Sequence, residues 1–406
     1  MARQEISVRC VIAGGGPAGM MLGLLLARAG VAVAVLEKHS DFLRDFRGDT
    51  IHPSTLEVLH ELGMLPEFLR RPHQEVQQLS GQIGNTVVPI ADFAHLPTQC
   101  RFIALMPQWD FLDFLAGQAR RFPAFRLEME AEVDDLVVAD GRVTGVRATT
   151  PNGELAVGAD LVVGADGRHS TVRARAGLET IDLGAPIDVL WLRLSRVPGD
   201  PAQTLGRFDA GRILVMLNRG DYWQCAFVIR KGGFDEIRSR GLPAFRDEIA
   251  ELAPHLRDRT GELADWPDIK LLTVAVDRLR VWHRPGLLCI GDAAHAMSPV
   301  GGVGINLAIQ DAVATANILT APLQRGSIAD GDLRAVQRRR EFPTRATQRL
   351  QVLIQNRVIG RVLESDKLSP PLVLRLLQRL PYLTRLPARL IGIGFRPEHI
   401  RLPAPA

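Results

Sequence analysis

The sequence predicts an α/β fold in which a parallel-sheet domain is split along the chain, with an inserted antiparallel-sheet α+β domain and a C-terminal helical segment. Two observations predict this arrangement. An apolar strand pattern, a glycine-rich turn and a helix pattern open the chain, and a further apolar strand ends at Gly291-Asp292. Between them, residues 180–277 form short alternating runs separated by turn residues, with one helix at about Leu242–Leu252 that we expect to cover a face of the sheet. We expect domains at 1–179 with 278–330, at 180–277 and at 331–406.

Composition bounds the possible function classes. The 406 residues are 46% hydrophobic and 23% charged, which is typical of a globular protein rather than a disordered one. A formal net charge of +4 is small for a chain of this length, so we predict no nucleic-acid partner. No segment reaches 18 uninterrupted apolar residues, and we therefore expect no transmembrane segment.

The cysteines do not form a metal-binding or disulfide pattern. Cys10, Cys100, Cys225 and Cys289 are scattered, with no CxxC pair and no histidine at ligand spacing. We predict no metal site. Cys10 and Cys289 lie within apolar runs, so buried thiols in a reducing cytoplasm are the expectation.

The first motif is a strand–turn–helix–strand unit at the N-terminus. A β-branched strand at Val8–Ala13 leads into the sequence Gly-Gly-Gly-Pro-Ala-Gly, a helix follows to Ala29, and a second strand at Val31–Leu36 ends at Glu37. Glycines at these positions permit a tight turn, close approach to a pyrophosphate and close helix packing, and the terminal acid can bind a ribose. The unit predicts a dinucleotide site but does not choose between NAD and FAD. The candidate contacts are Gly14, Gly16, Pro17, Ala18, Gly19, Glu37 and Lys38.

Two later motifs favour FAD. The strand Asp160–Gly164 breaks into Ala165-Asp166-Gly167, and the strand Leu287–Ile290 breaks into Gly291-Asp292. A carboxylate at Asp292 can accept hydrogen bonds from the hydroxyls of a ribityl chain. The run Gly301–Asn306 then opens a helix through about Leu319, whose free N–H groups and positive dipole end would face the charge of a reduced flavin.

The three motifs, in this order, resemble those of the group A flavoprotein aromatic hydroxylases, the p-hydroxybenzoate hydroxylase-like family. The resemblance covers essentially the whole chain and implies a Rossmann-like (GR2-type) FAD-binding domain. One departure is Gly302-Val303-Gly304, where many members have Gly-Gln-Gly or Gly-Leu-Gly. The backbone role survives this change, but the subgroup and its substrate become less certain.

The resemblance also implies individual site residues. Arg47 matches the arginine near the pyrophosphate, with Gly48 beside it; Asp49 would lie near the flavin ring. Gln108 matches a contact to the sugar chain, and Val133 a position near adenine. The alternatives are a solvated loop charge for Arg47 and a helix cap for Gln108. The flavin edge would be contacted by Pro299, through its carbonyl, and by Gly302, Gly304, Ile305 and Asn306.

The same resemblance implies the reaction. NADH or NADPH would visit transiently, since the chain has no second GxGxxG motif. Reduced flavin would take up O2 at C4a, and the hydroperoxide would deliver one oxygen to a small, aromatic substrate. Tyr222 is a candidate base for a phenol, or else a packed aromatic. Arg193, Arg207 and Arg212 could hold an acidic substrate, and His295 is expected to be a structural part of its turn.

Other functions remain open at this point. A reductase or a halogenase could share the fold, although the Trp-x-Trp-x-Ile-Pro stretch of halogenases is absent. A non-catalytic flavoprotein could shield a pathway intermediate. The choice between NADH and NADPH, the substrate, and monomer versus homodimer are also open.

The C-terminal region predicts an amphipathic helix. Its apolar face holds Leu372, Val373, Leu376, Leu377 and Leu380, and its basic face holds Arg375 and Arg379. The helix either packs on the protein or a second subunit, or attaches to a membrane surface.

Overall fold

The computed structural model describes residues 4–43, 50–84, 86–201, 205–364 and 379–402. The predictions for Arg47, Gly48 and Asp49, and for most of the amphipathic helix, lie outside these residues. The strands are β1 (Gln4–Ala13), β2 (Val33–Leu36), β3 (Thr50–Ile51), β4 (Gln74–Val76), β5 (Gln78–Ile83), β6 (Thr86–Asp92), β7 (Ile103–Leu105), β8 (Phe125–Glu128), β9 (Glu132–Ala139), β10 (Arg142–Thr150), β11 (Gly153–Gly164), β12 (Thr180–Asp182), β13 (Ile187–Ser195), β14 (Leu205–Asp209), β15 (Arg212–Asn218), β16 (Tyr222–Arg230), β17 (Lys270–Leu272), β18 (Asp277–Leu279), β19 (His283–Arg284) and β20 (Leu287–Cys289). The α-helices are α1 (Pro17–Arg28), α2 (Pro53–Glu61), α3 (Leu65–Phe68), α4 (Gln108–Ala119), α5 (Thr171–Arg175), α6 (Phe234–Ser239), α7 (Leu242–Leu252), α8 (Gly304–Arg325), α9 (Asp330–Ile354), α10 (Gly360–Glu364) and α11 (Arg385–Gly392).

An eight-stranded sheet forms the first layer. Six strands follow the order β19-β20-β11-β1-β2-β8, while β10 pairs with β11 and β9 pairs with β10. Strands β1, β2, β8, β11 and β20 pair in parallel. Such strands are apolar throughout because helices cover both faces, and all four residues of β2 are buried. Strand β20 returns to this sheet more than a hundred residues after β11, as the fold class predicted.

A seven-stranded sheet forms the second layer, in the order β17-β13-β16-β15-β14-β5-β6. Helix α7 covers one face, where Phe245 and Ile249 pack with Leu192 and Leu214. This confirms the expected antiparallel α+β layer and its covering helix. Strands β5 and β6, however, come from residues 78–92, within the range predicted for the first domain. Strand β5 joins by parallel pairing with β14, which no local sequence pattern indicates. The domain boundaries stay a prediction.

Two glycines set the start of helix α8. Gly301 and Gly302 have φ of +81° and +63°, so a separate 3₁₀ turn at Val300–Gly302 precedes the helix. The helix therefore begins three residues after the expected start at Gly301. It runs past Leu319 to Arg325 and ends at Gly326 in the left-handed conformation.

The remaining expectations concern membranes and cysteines. In the described ranges, no helix is long and apolar enough to cross a membrane. Cys10 and Cys289 are buried, as predicted, and so are Cys100 and Cys225; all four are free thiols. Burial raises the pKa of the Cys100 thiol to about 11 and that of Cys225 to about 12, which keeps both protonated.

Candidate cofactor and active site

The glycine turn between β1 and α1 leaves an open space beside the backbone. A Cβ on Gly16 would meet no heavy atom within 4 Å, whereas a Cβ on Gly19 would lie 1.9 Å from the Gly14 carbonyl oxygen. Gly19 therefore allows the helix to pack closely, and Gly16 faces empty space. Helix α1 begins at Pro17 without a side-chain cap and without an acidic residue in its first turn. Such a helix start suits an anion.

The Asp166 loop lies directly against this turn. Gly14 has φ of +105°, and a Cβ there would stand 2.8 Å from the Asp166 Cα atom. The Asp166 carboxylate accepts hydrogen bonds from the Ser170 hydroxyl and the Val172 N–H and thereby holds the start of α5. Burial raises the pKa of the Asp166 carboxyl above its usual value, although the hydrogen bonds to the carboxylate act in the opposite direction. The loop backbone, rather than this carboxylate, faces the glycine turn.

Gly291 brings the starts of α1 and α8 together. A Cβ on Gly291 would lie 3.2 Å from the Ala18 Cβ and 3.5 Å from the Ala308 Cβ. The neighbouring Asp292 keeps a partly exposed carboxylate, 3.7 Å from the Arg168 guanidinium. An acceptor for a polyol therefore stands beside two helix starts.

Glu37 lies at the end of β2, as expected for a ribose contact. Its two carboxylate oxygens accept hydrogen bonds from the N–H groups of Gly15, at 2.9 Å, and of His39, at 3.1 Å. The residue is 7% exposed. The backbone of Glu37 also bonds to that of Ala131, which brings the buried Val133 of β9 near the same strand end. Lys38 points outward, 4.0 Å from Glu132.

Residues of β3 and α2 hold the start of α8, but no described side chain caps its N–H groups. Thr50 donates a hydrogen bond to the Gly302 carbonyl at 2.9 Å. The Asn306 side-chain oxygen accepts from the His52 N–H and the Thr55 hydroxyl, and its Nδ2 group is buried without a partner among the described residues. Helix α8 has no side-chain cap, and a Cβ on Gly304 would meet nothing within 4 Å. Ile305, next in the helix, is buried.

These features fit a flavin dinucleotide. Two uncapped helix starts, two glycines facing open space, an unpartnered Asn306 amide and two carboxylates at strand ends surround one region of the first sheet. Helix N-termini and glycine backbones bind phosphates, and carboxylates bind sugar hydroxyls. The residue set therefore suits FAD.

Three other predicted site residues have known positions in the fold. Gln108 is the first residue of α4, whose N-cap is Pro107, so its side chain does not cap that helix. The Pro299 carbonyl accepts the Gly302 N–H at 3.0 Å. Tyr222 opens β16 on the seven-stranded sheet, with the Arg193 guanidinium 3.9 Å above its ring. The roles of all three residues toward cofactor or substrate stay predictions.

Sequence reasoning missed a buried charged network behind the Gly291 turn. Asp311 accepts hydrogen bonds from the Gly291 N–H, at 3.1 Å, and the Arg340 Nε, at 2.9 Å, and lies 2.6 Å from the His295 Nε2. Arg340 also contacts Glu398 near the C-terminus. Although burial opposes ionisation, His295 and Arg340 hold the pKa of the Asp311 carboxyl below its usual value. His295 is thus part of the turn's scaffold, as expected. The sequence did contain a signal of this network, because Asp311 and Arg340 are charged residues on helix faces that are otherwise apolar.

Comparison with known proteins places the chain. Residues 7–350 match the protein family described as the FAD binding domain. The chain belongs to this family.

The 6-methylpretetramide 4-monooxygenase of Streptomyces rimosus is 35% identical over 360 residues, which is 87% of this chain and 85% of that relative. The dialkyldecalin synthase of Streptomyces rugosporus is 29% identical over 327 residues, 77% of this chain and 65% of that relative. The structure of the p-nitrophenol 4-monooxygenase from Pseudomonas putida DLL-E4 has the same fold, with a TM-score of 0.77 at 20% identity, and covers 97% of this chain and 100% of its own.

These findings confirm the predicted family, fold, cofactor and reaction class. The protein is an FAD-dependent monooxygenase of the p-hydroxybenzoate hydroxylase-like type, with NAD(P)H as its co-substrate. When bound, the flavin supplies the reduction and activation of O2. The glycine turn, the two carboxylates and the start of α8 described above would hold its phosphates, its sugars and its ring.

Proposed function

We propose that the protein hydroxylates an aromatic ring of a pretetramide-like compound held between the seven-stranded sheet and the start of α8. One observation supports this placement above all. Val300, in the turn that leads into α8, and Trp191, on the sheet, are both partly buried and pack against one apolar cluster, which includes Ala226 of the sheet. A wall of this kind binds a flat apolar ring system through burial and aromatic contact.

The relative of Streptomyces rimosus supports the substrate class. Its name states a 4-monooxygenase of 6-methylpretetramide, and its identity to this chain extends across both layers of the fold. The sheet face that holds Trp191 also bears Gln224, two residues from Ala226 on β16, so polar contacts are available beside the apolar wall.

The chain's own groups have defined tasks in this proposal. The start of α8 stabilises negative charge on the flavin edge because its N–H groups are not used by a cap. The apolar wall excludes water from the reacting ring. Tyr222 stays the candidate for the phenolic proton; a Tyr222→Phe variant that retains full turnover at every pH would remove it from that role.

The test is oxidation of NADH and of NADPH by the purified holoenzyme, with oxygen and peroxide recorded together. The compounds are pretetramides, monocyclic phenols, anthranilates and pyridines. We expect a pretetramide to raise oxygen use without matching peroxide and to yield a product heavier by one oxygen atom. Stimulation by a monocyclic phenol alone would overturn the substrate class.

A second candidate comes from the dialkyldecalin synthase, a relative named as a synthase rather than a monooxygenase. By analogy, this chain could use bound FAD without net oxidation. This second candidate predicts a product isomeric with its substrate and no stimulation of NAD(P)H oxidation. Mass spectrometry of the same reactions therefore separates the two candidate functions.

A further inference from the structure

Three glutamines on one face of α9 and its extension contact the loop that leads into α8. Gln348, Gln351 and Gln355 are spaced by three and four residues, and all are at least 97% buried. Buried glutamines require hydrogen-bond partners. Gln351 and Gln355 bond to Ser298 and Val300, whereas Gln348 donates to the Ala296 carbonyl and also to the Asp277 carbonyl outside the loop. The loop they contact joins the Gly291-Asp292 turn to the open start of α8.

Gln351 makes the most specific contacts of the three. Its Oε1 accepts the Ser298 N–H at 3.2 Å, and its Nε2 donates to the Ser298 and Val300 carbonyls, both at 2.9 Å. Because the Oε1 partner is a donor and both Nε2 partners are acceptors, the orientation of the amide is fixed. One side chain therefore brackets Pro299 from both sides.

The loop cannot satisfy these groups by itself. Pro299 has no N–H group, and the positive φ of Gly301 and Gly302 interrupts regular secondary structure. The Val300 N–H bonds to the Ser298 hydroxyl within the loop, whereas the Ser298 N–H and the Ser298 and Val300 carbonyls bond to Gln351. Gln355 adds a further tie, since its Nε2 donates to the Ser298 hydroxyl at 2.7 Å. Gln355 opens a π-helical turn at Gln355–Ile359, a widened helix of a kind that recurs at functional sites.

We propose that Gln351 is a positioning residue that fixes the Pro299 loop, and with it the open start of α8, in the geometry that receives the flavin. The inference rests on FAD binding and not on the substrate class proposed above. Without the bracket, the loop must be ordered when FAD binds, and the cost of that ordering weakens binding.

The chain offers a matched control on the same helix. Gln337 of α9 is less buried than Gln351 but makes a similar pair of contacts to a different loop: its Oε1 accepts the Trp282 N–H at 3.0 Å and its Nε2 donates to the Arg280 carbonyl at 3.1 Å. A Gln337→Glu variant thus breaks a similar pair of backbone contacts at residues 280–282, outside the Pro299 loop.

The experiment measures the FAD dissociation constant of the apoprotein, and the flavin midpoint potential and absorption spectrum of the holoenzyme, for Gln351→Glu and Gln337→Glu across pH. In the Gln351→Glu variant, an ionised carboxylate would repel the two carbonyls, whereas a protonated carboxyl restores one donor, and burial among carbonyls raises its pKa. We expect Gln351→Glu to bind FAD near normally at about pH 5 and about tenfold more weakly at about pH 8, with a lowered potential. Gln337→Glu should show neither change.

Equal effects of the two substitutions, or no pH dependence with Gln351→Glu, would overturn the proposal. A Ser298→Ala variant provides a second test if Gln351→Glu does not fold. It removes the hydroxyl that Gln355 and the Val300 N–H both contact. We expect it to weaken FAD binding by about two- to tenfold; unchanged FAD affinity and an unchanged flavin spectrum would also count against the proposal.

Discussion

Gly16 and Gly19 lie in one turn, yet the absence of a side chain serves a different purpose at each. A Cβ on Gly16 would enter open space, whereas one on Gly19 would collide with the Gly14 carbonyl. We therefore expect Gly16→Ala to fold with near-normal stability but to bind FAD at least about tenfold more weakly, since the methyl group would enter the open space in which we expect the pyrophosphate. Gly19→Ala should cost about 1–3 kcal/mol of unfolding free energy or more.

Thermal unfolding of both apoproteins and fluorescence titration with FAD separate these effects. A Gly16→Ala protein that binds FAD with wild-type affinity would place the pyrophosphate elsewhere. A Gly19→Ala protein of wild-type stability would show that α1 can move away from the turn.

His52 gives stability a pH dependence. It is fully buried, its Nδ1 lies 2.8 Å from the Ile391 carbonyl oxygen of α11, and burial lowers its pKa from 6.5 to about 4. Between these values the unfolded chain binds a proton that the folded chain does not, so stability is lost as pH falls from 6.5 towards 4. The loss is on the order of 3 kcal/mol.

Chemical denaturation across this pH range checks the expectation. His52→Gln should flatten the dependence, and His60→Gln, at an exposed position of helix α2, which begins directly after His52, serves as the control. The assignment to His52 fails if both variants keep the slope of the wild type.

At the scale of elements, the buried network joins α8, α9 and the C-terminal segment behind the cofactor turn. Asp311 is fully buried and pairs with Arg340, which is 1% exposed. Asp311→Asn leaves Arg340 to share the Glu398 carboxylate with Arg339, so we expect a loss of about 3 kcal/mol of unfolding free energy. FAD affinity should fall too, because the Gly291 N–H loses a carboxylate acceptor.

An exposed ion pair is the comparison for that prediction. Arg121 and Glu67 lie 2.9 Å apart on the surface, and Arg121→Gln should cost less than about 1 kcal/mol. Denaturant titrations of the two variants measure both values; similar small losses would mean that the network does not hold these elements together.

Elements differed in how far their sequences predicted them. Helix α7 was expected at about Leu242–Leu252 and has these bounds in the structure, where its apolar residues recur at helical spacing after Gly241. The start of α8 was predicted three residues early, since the run of glycines did not indicate which of them adopt positive φ. Neighbouring turns decided that, through the contact between Thr50 and Gly302.

At the scale of the whole molecule, FAD should contribute to stability by mass action. The cofactor region lies among β1, β11, α1 and α8, which share one hydrophobic core, so a ligand that binds only the folded state stabilises that core. We expect removal of FAD to lower the melting temperature, and added FAD to raise it in proportion to the logarithm of its concentration. Calorimetry of apo- and holoenzyme tests this; a melting temperature independent of FAD would mean that the folded chain does not bind the cofactor in preference to the unfolded chain.

The resemblance of the motifs to a known family implied the FAD cofactor and the reaction class, and the sequence by itself determined the glycine turn and the Asp166-Gly167 and Gly291-Asp292 junctions. These depend on short-range sterics and on a few residue types at fixed spacing, and such patterns are legible in a single chain. The tertiary structure decided which distant segments meet. Pairing of β5 with β14, the bracket of Gln351 around Pro299 and the contact of Arg340 with Glu398 join residues that are remote in sequence. They form because burial leaves backbone and charged groups without water, and only the folded chain places partners within reach.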